Sequence, residues 1–153
     1  LTRVLGEAGL REGVPVLSAE THGMAMRGGS VVCQVKLGDF ASPLILPGRA
    51  DLLLGLDAEE AGRNRHFLNA EGVAVVNTPS PARRGEVDAL ALARASGSPQ
   101  NLNMVLLGFA TGLGALGLAD DSVRGAVAAL SPEKHRAANL AAFDEGKRAG
   151  GEA

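Results

Sequence analysis

The 153-residue chain predicts an α/β domain with a mainly parallel sheet and a helical C-terminal part. Three observations carry the prediction. Asp51-Leu52-Leu53-Leu54-Gly55-Leu56-Asp57 and Val73-Ala74-Val75-Val76 are apolar runs of the kind buried on both faces of a parallel sheet. The residues between them have helical character, so strand, helix and strand follow at the spacing of a βαβ unit. Beyond residue 86 the apolar pattern turns helical and stays so.

Leu1, Val4, Leu5 and Ala8 recur at helical spacing and Gly13 follows Arg11, the pattern of a helix approaching its end. Val14-Pro15-Val16-Leu17 reads as a short strand with Pro15 near its start. Val31, Cys33, Val35 and Leu37 alternate with Val32, Gln34 and Lys36, a period-two strand in which Cys33 is expected to be a small apolar core residue. Leu44-Ile45-Leu46, bracketed by Pro43 and Pro47, is a brief extended piece. Asp57 and Glu60 have capping-box spacing, predicting a helix to about Leu68, with Gly72 ending that unit. Pro79 to Gly85 is a basic, turn-like connection, expected to be mobile.

Four further helices are predicted, over Val87–Ala95, Leu102–Leu118, Asp121–Leu130 and Pro132–Arg148. The last starts at Ser131-Pro132, with the hydroxyl as cap and proline in the first helical position. The second is read as a core helix, with Gly108 and Gly112 permitting close approach; an exposed subunit interface is the competing reading. These elements compose one three-layer α/β/α, Rossmann-like domain over residues 1–153.

Composition narrows the function. Hydrophobic residues are 46% and charged residues 21%, with a formal charge of −2, so nucleic acid and anionic membrane surfaces find no electrostatic footprint. There is no Trp or Tyr and only four Phe, too few for base stacking. A single cysteine supports no disulfide framework and fits a reducing cytoplasm. No targeting segment is read, and the uncharged stretch Met104 to Ala119 is shorter than the roughly 20 residues of a membrane span.

Several motifs carry no chemistry. Gly112-Leu113-Gly114-Ala115-Leu116-Gly117 has the letters of a dinucleotide fingerprint, but it lies in or after a helix rather than between strand and helix. His22, His66 and His135 are widely separated and no metal site is expected. His66 and His135 are read as solvated.

Glu20 to Ser30 is the exception. Between two predicted strands it holds His22, Arg27 and the pair Gly28-Gly29. Arg27 offers a planar fork to a carboxylate or phosphate, the glycines let backbone amides approach an anion, and His22 titrates near neutral pH. A loop packed on itself, with Arg27 paired to Glu20 or Asp57, fits the same residues, and both readings stand at this point. Asn77 and Thr78 fall at the carboxyl end of their strand, where open α/β sheets bind ligands. Asp57 does too, as a helix cap first.

His22-Gly23-Met24 followed by Arg27-Gly28-Gly29-Ser30-Val31-Val32 resembles the signature loop of gamma-type subunits of 2-oxoacid:ferredoxin oxidoreductases, the indolepyruvate ferredoxin oxidoreductase beta subunits most of all. Ser42-Pro43-Leu44-Ile45, Ala50-Asp51-Leu52-Leu53-Leu54, Val75-Val76-Asn77-Thr78, Asn101 to Gly108 and Ala138-Asn139-Leu140-Ala141-Ala142-Phe143 continue the likeness in the same order. Two departures accompany it. The opening strand and Gly-rich turn of such subunits are missing before Leu1, and the region from Pro79 to Glu86 is short.

The resemblance implies one subunit of an enzyme that carries out CoA-dependent oxidative decarboxylation of an arylpyruvate and passes the electrons to ferredoxin. Thiamine diphosphate and [4Fe-4S] clusters would belong to an alpha-type partner subunit. His22 would line the entrance as the candidate catalytic residue. Arg27, Gly28, Gly29, Ser30, Asn77 and Thr78 would face substrate, CoA or the partner. Two alternatives remain: a subunit for pyruvate, 2-oxoglutarate or phenylglyoxylate, or a non-catalytic CoA- or nucleotide-binding or structural module.

Overall fold

The computed structural model describes residues 1–20 and 31–153. Helix α1 (Thr2–Arg11) buries Val4, Leu5, Ala8 and Gly9, the stripe expected from its spacing. Strands β1 (Val16–Glu20) and β2 (Cys33–Leu37) form an antiparallel ribbon running from Val16 opposite Leu37 to Glu20 opposite Cys33. Gly9 lets α1 press onto this ribbon: a Cβ there would overlap Val16. Cys33, at the far end of the ribbon, is exposed rather than in the core. Leu44 to Leu46 forms no strand; the Ile45 amide instead donates to Gln34 Oε1 at 2.6 Å.

The central sheet is parallel, in the order β3 (Ala50–Gly55), β4 (Leu68–Asn77), β5 (Glu86–Val87). Leu52 to Gly55 pair with Val73 to Val76, and Asn77 pairs with Val87. Gly72 does not end a helical unit as expected but lies within β4. The register breaks between Ala50 and Leu52, where the Ala50 carbonyl would stand 2.8 Å from a Cβ at Gly72. Helix α2 (Ala58–Asn64) and the 3-10 turn Arg65–Phe67 together fill the predicted helix. Asp57 caps it as expected, one carboxylate oxygen accepting from the Glu59 and Glu60 amides at 3.0 Å each.

Helix α3 (Ala89–Ala95) starts later than predicted because Glu86 and Val87 join the sheet. Helix α4 (Leu102–Gly112) is buried from Met104 to Thr111, which settles it as a core helix. It ends earlier than predicted, in a Schellman turn: the Gly114 amide donates to Thr111 O and the Ala115 amide to Ala110 O, with Gly114 at φ +69°. The dinucleotide-like letters are this helix ending.

Helices α5 (Asp120–Leu130) and α6 (Glu133–Gly151) complete the fold. Ser131 does not cap α6. Its amide closes α5 on Val127 O, and its nearly buried hydroxyl takes a 2.8 Å hydrogen bond from Asn139. The deepest core side chains are Phe143, Leu106, Leu107, Val75, Val105, Val123 and Val127, drawn from α4, α5, α6 and β4. No helix among the described residues is long and apolar enough to cross a membrane.

Candidate functional site

The carboxyl ends of β3 and β4 bring Leu56, Asp57, Asn77 and Thr78 together because the strands are parallel and in register. Asn77 Nδ2 donates to the Leu56 carbonyl at 3.1 Å and so ties the exits of the two strands. Asn77 Oδ1 is buried and has no hydrogen-bond partner among the described residues. A buried amide oxygen left unpaired is costly, on the order of 1–3 kcal/mol, and such atoms merit a functional explanation. The Thr78 amide continues the ladder to Val87 O at 3.0 Å, and its hydroxyl accepts from the Ser80 amide at 3.4 Å.

The expected sites divide between two places. Asn77 and Thr78 stand where the sequence puts them. His22, Arg27, Gly28, Gly29 and Ser30 lie outside the described residues. Asp57 has its carboxylate engaged in capping. His66 and His135 are exposed, and His66 Nδ1 lies 3.0 Å from Arg63 O.

Perturbed ionisations lie elsewhere, on the outer faces of α5 and α6. Hydrogen bonds from Arg124 Nε and Nη2, at 2.8 and 2.9 Å, hold the Asp144 carboxyl below its ordinary value. Asp120 raises Lys147, and Arg148 lowers Glu145. These are exposed structural pairs.

Metal chemistry finds no donor set: no group of three or more His, Cys, Asp or Glu converges among the described residues. One cysteine in the whole chain cannot supply the several thiolates of an iron–sulfur cluster, so that group does not fit this chain.

A protein-family model described as pyruvate ferredoxin/flavodoxin oxidoreductase matches residues 1–149. The chain is similar to the indolepyruvate oxidoreductase subunit IorB of Archaeoglobus fulgidus, 45% identical over 75 residues, a match covering 49% of this chain and 37% of that one. It is 30% identical to the IorB subunit of Methanothermobacter thermautotrophicus over 169 residues, covering 94% of this chain and 86% of that one. Among solved structures it resembles the keto/oxoacid ferredoxin oxidoreductase gamma subunit of Geobacter sulfurreducens, with a TM-score of 0.77 at 22% identity, over 98% of this chain and 89% of that one. The 2-oxoglutarate:ferredoxin oxidoreductase of Magnetococcus marinus gives a TM-score of 0.77 at 21% identity, over 99% of this chain and 28% of that one. The α/β fold with a parallel sheet expected from the sequence is thus that of oxidoreductase gamma subunits, and the chain belongs to the pyruvate ferredoxin/flavodoxin oxidoreductase family.

Proposed function

We propose that this chain is the gamma-type subunit of an indolepyruvate ferredoxin oxidoreductase. The observation that carries the reading is the family match over residues 1–149, joined to relatives whose names specify indolepyruvate oxidoreductase subunits. The reaction breaks the bond between the 2-oxo carbon and the carboxylate and releases CO2. The acyl carbon becomes a CoA thioester, and its electrons reduce ferredoxin. Thiamine diphosphate, which would supply the electron sink for decarboxylation, and the [4Fe-4S] clusters would belong to an alpha-type partner subunit. The lone cysteine supports that division. The complex works in the cytoplasm.

Within this reading the domain, residues 1–153, docks on the thiamine-bearing partner and shapes the entrance for substrate or CoA. Arg27 holds an anionic group through its fork, Gly28, Gly29 and Ser30 offer amides, and His22 lines the opening. Asn77 supports the reading because its unpaired Oδ1 is an acceptor at the strand ends, with Thr78 beside it. A subunit serving another 2-oxoacid is the second reading, favoured by the family's own description.

The test is reconstitution with the partner subunit, following CoA-dependent ferredoxin reduction by indolepyruvate. Activity that requires this chain is the expected result. Reduction with pyruvate or 2-oxoglutarate but not indolepyruvate selects the second reading. A formed complex with no activity on any 2-oxoacid favours a binding or structural module.

A further inference from the structure

A cleft of about 400 Å³ opens beside the later part of β4 and the start of β5, with Arg65, Arg83 and Arg84 in its lining and Val73, Leu113 and Ala115 among its walls. Arg65 and the Arg83-Arg84 pair line it together because β5 pairs parallel to the last residues of β4, setting the turn before Glu86 beside Ala74 and Val76. Among the described residues none of these guanidiniums has an ion-pair partner, as is also true of Arg3, Arg49, Arg94 and Arg136, so all three are free to meet an anion.

The arginine-bearing turn is built rather than loose. One Glu86 carboxylate oxygen accepts from the Ala82 and Arg83 amides at 2.8 and 3.1 Å, which fixes the turn and leaves one carboxylate against three guanidiniums in the lining. The Glu86 amide donates to Arg83 O at 3.0 Å, and Gly85 O accepts from the Val76 amide at 2.9 Å. Gly85 takes φ +92°, and a Cβ there would overlap the Ala74 carbonyl. The turn expected to be mobile is therefore tied to β4.

We propose that this cleft binds a phosphate ester of nucleotide size. Planar guanidinium forks match phosphate oxygens, and three of them suit a ligand with more than one negative charge. The volume falls within the roughly 300–1,000 Å³ usual for small-molecule sites. Val73, 40% exposed, and Leu113 give an organic body an apolar wall. The arginines line a concavity, which favours a small ligand over the flat acidic face of a protein. The inference stands apart from the oxidoreductase reading, and its test needs neither the partner subunit nor ferredoxin.

The experiment is calorimetric titration of the full chain with ADP, pyrophosphate, adenosine and poly-glutamate. ADP should bind, with pyrophosphate at least several-fold weaker and adenosine weaker still. Arg83→Ala/Arg84→Ala should weaken ADP at least tenfold, and Arg83→Lys/Arg84→Lys, which keeps charge but loses the forks, should weaken it less. Arg124→Ala should change nothing, and circular dichroism should show every variant folded. No binding of ADP, or equal binding by the folded double-alanine variant, overturns the proposal. Pyrophosphate binding as tightly as ADP replaces the ester with an inorganic anion. Poly-glutamate binding that depends on these arginines, without ADP binding, replaces it with an acidic protein surface.

Discussion

Gly108 of α4 lies directly against the main chain at Phe143 of α6, so close that a Cβ would overlap the Phe143 carbonyl oxygen. The same contact recurs a turn on and in reverse: Gly112 meets Lys147 O, Gly146 meets Val105 O, and Gly150 meets Phe109 O. Glycines four apart on each helix thus let two backbones touch. Gly108→Ala or Gly146→Ala must push the helices apart or bend one of them. Each should cost about 3 kcal/mol, at the upper end for overpacked cores. Urea denaturation should show the midpoint falling with little change in slope. An unchanged midpoint would mean that α4 and α6 do not pack this closely.

Gly62 makes the opposite case. It lies inside α2, and a Cβ there would meet nothing within 4 Å. Gly62→Ala should stabilise the protein by about 0.5–1 kcal/mol, because alanine loses less backbone freedom in a helix. The same denaturation experiment reads it, now with the midpoint rising. The pair separates glycines that serve packing from one that does not.

Asp57 and Ser131 show how far such local reasoning reaches. The Asp57 cap was legible because its acceptors and donors lie within three residues. Ser131 has the same chemistry, but Asn139, one face of α6 away, takes its hydroxyl, and that competition is tertiary. Cys33 fails for a similar reason: alternation identifies a strand but not what covers it. The two residues of β5 are too few to show any period, and they owe their strand conformation to β4. That pairing also assembles Arg65, Arg83 and Arg84, which sequence reading noticed only as a basic turn. Asn77 was legible because a parallel strand's carboxyl end is a predictable place. Its unpaired oxygen was not.

Acid should remove one identifiable contribution to stability. Arg124 holds the Asp144 carboxyl below its ordinary 3.8 in the folded state. A depressed carboxyl stabilises above its unfolded pKa, and the contribution is lost as pH falls through the folded value. Both side chains are nearly half exposed, at 47% and 45%, so solvent screening limits the pair to about 0.2–1 kcal/mol. Asp144→Asn should lower stability by that amount at pH 7 and in low salt, with the difference vanishing at pH well below 3.8. Denaturation midpoints across pH, for both proteins, give the comparison. A difference that persists in strong acid would assign the loss to packing.

Arg27 and Asn77 bear on the oxidoreductase reading. If Arg27 holds the anionic group of substrate or CoA, Arg27→Ala should lower kcat/KM in the reconstituted complex. The loss of a charged hydrogen bond, about 1.5–3 kcal/mol, corresponds to roughly 10- to 150-fold. The melting temperature should stay unchanged, and Arg27→Lys should recover part of the activity, since charge survives without the fork. Asn77→Ala should behave differently, because it also removes the 3.1 Å bond to Leu56 O. It should cost about 1 kcal/mol of stability in addition to activity. Full turnover by Arg27→Ala within an intact complex would remove Arg27 from the site, whatever Asn77 does.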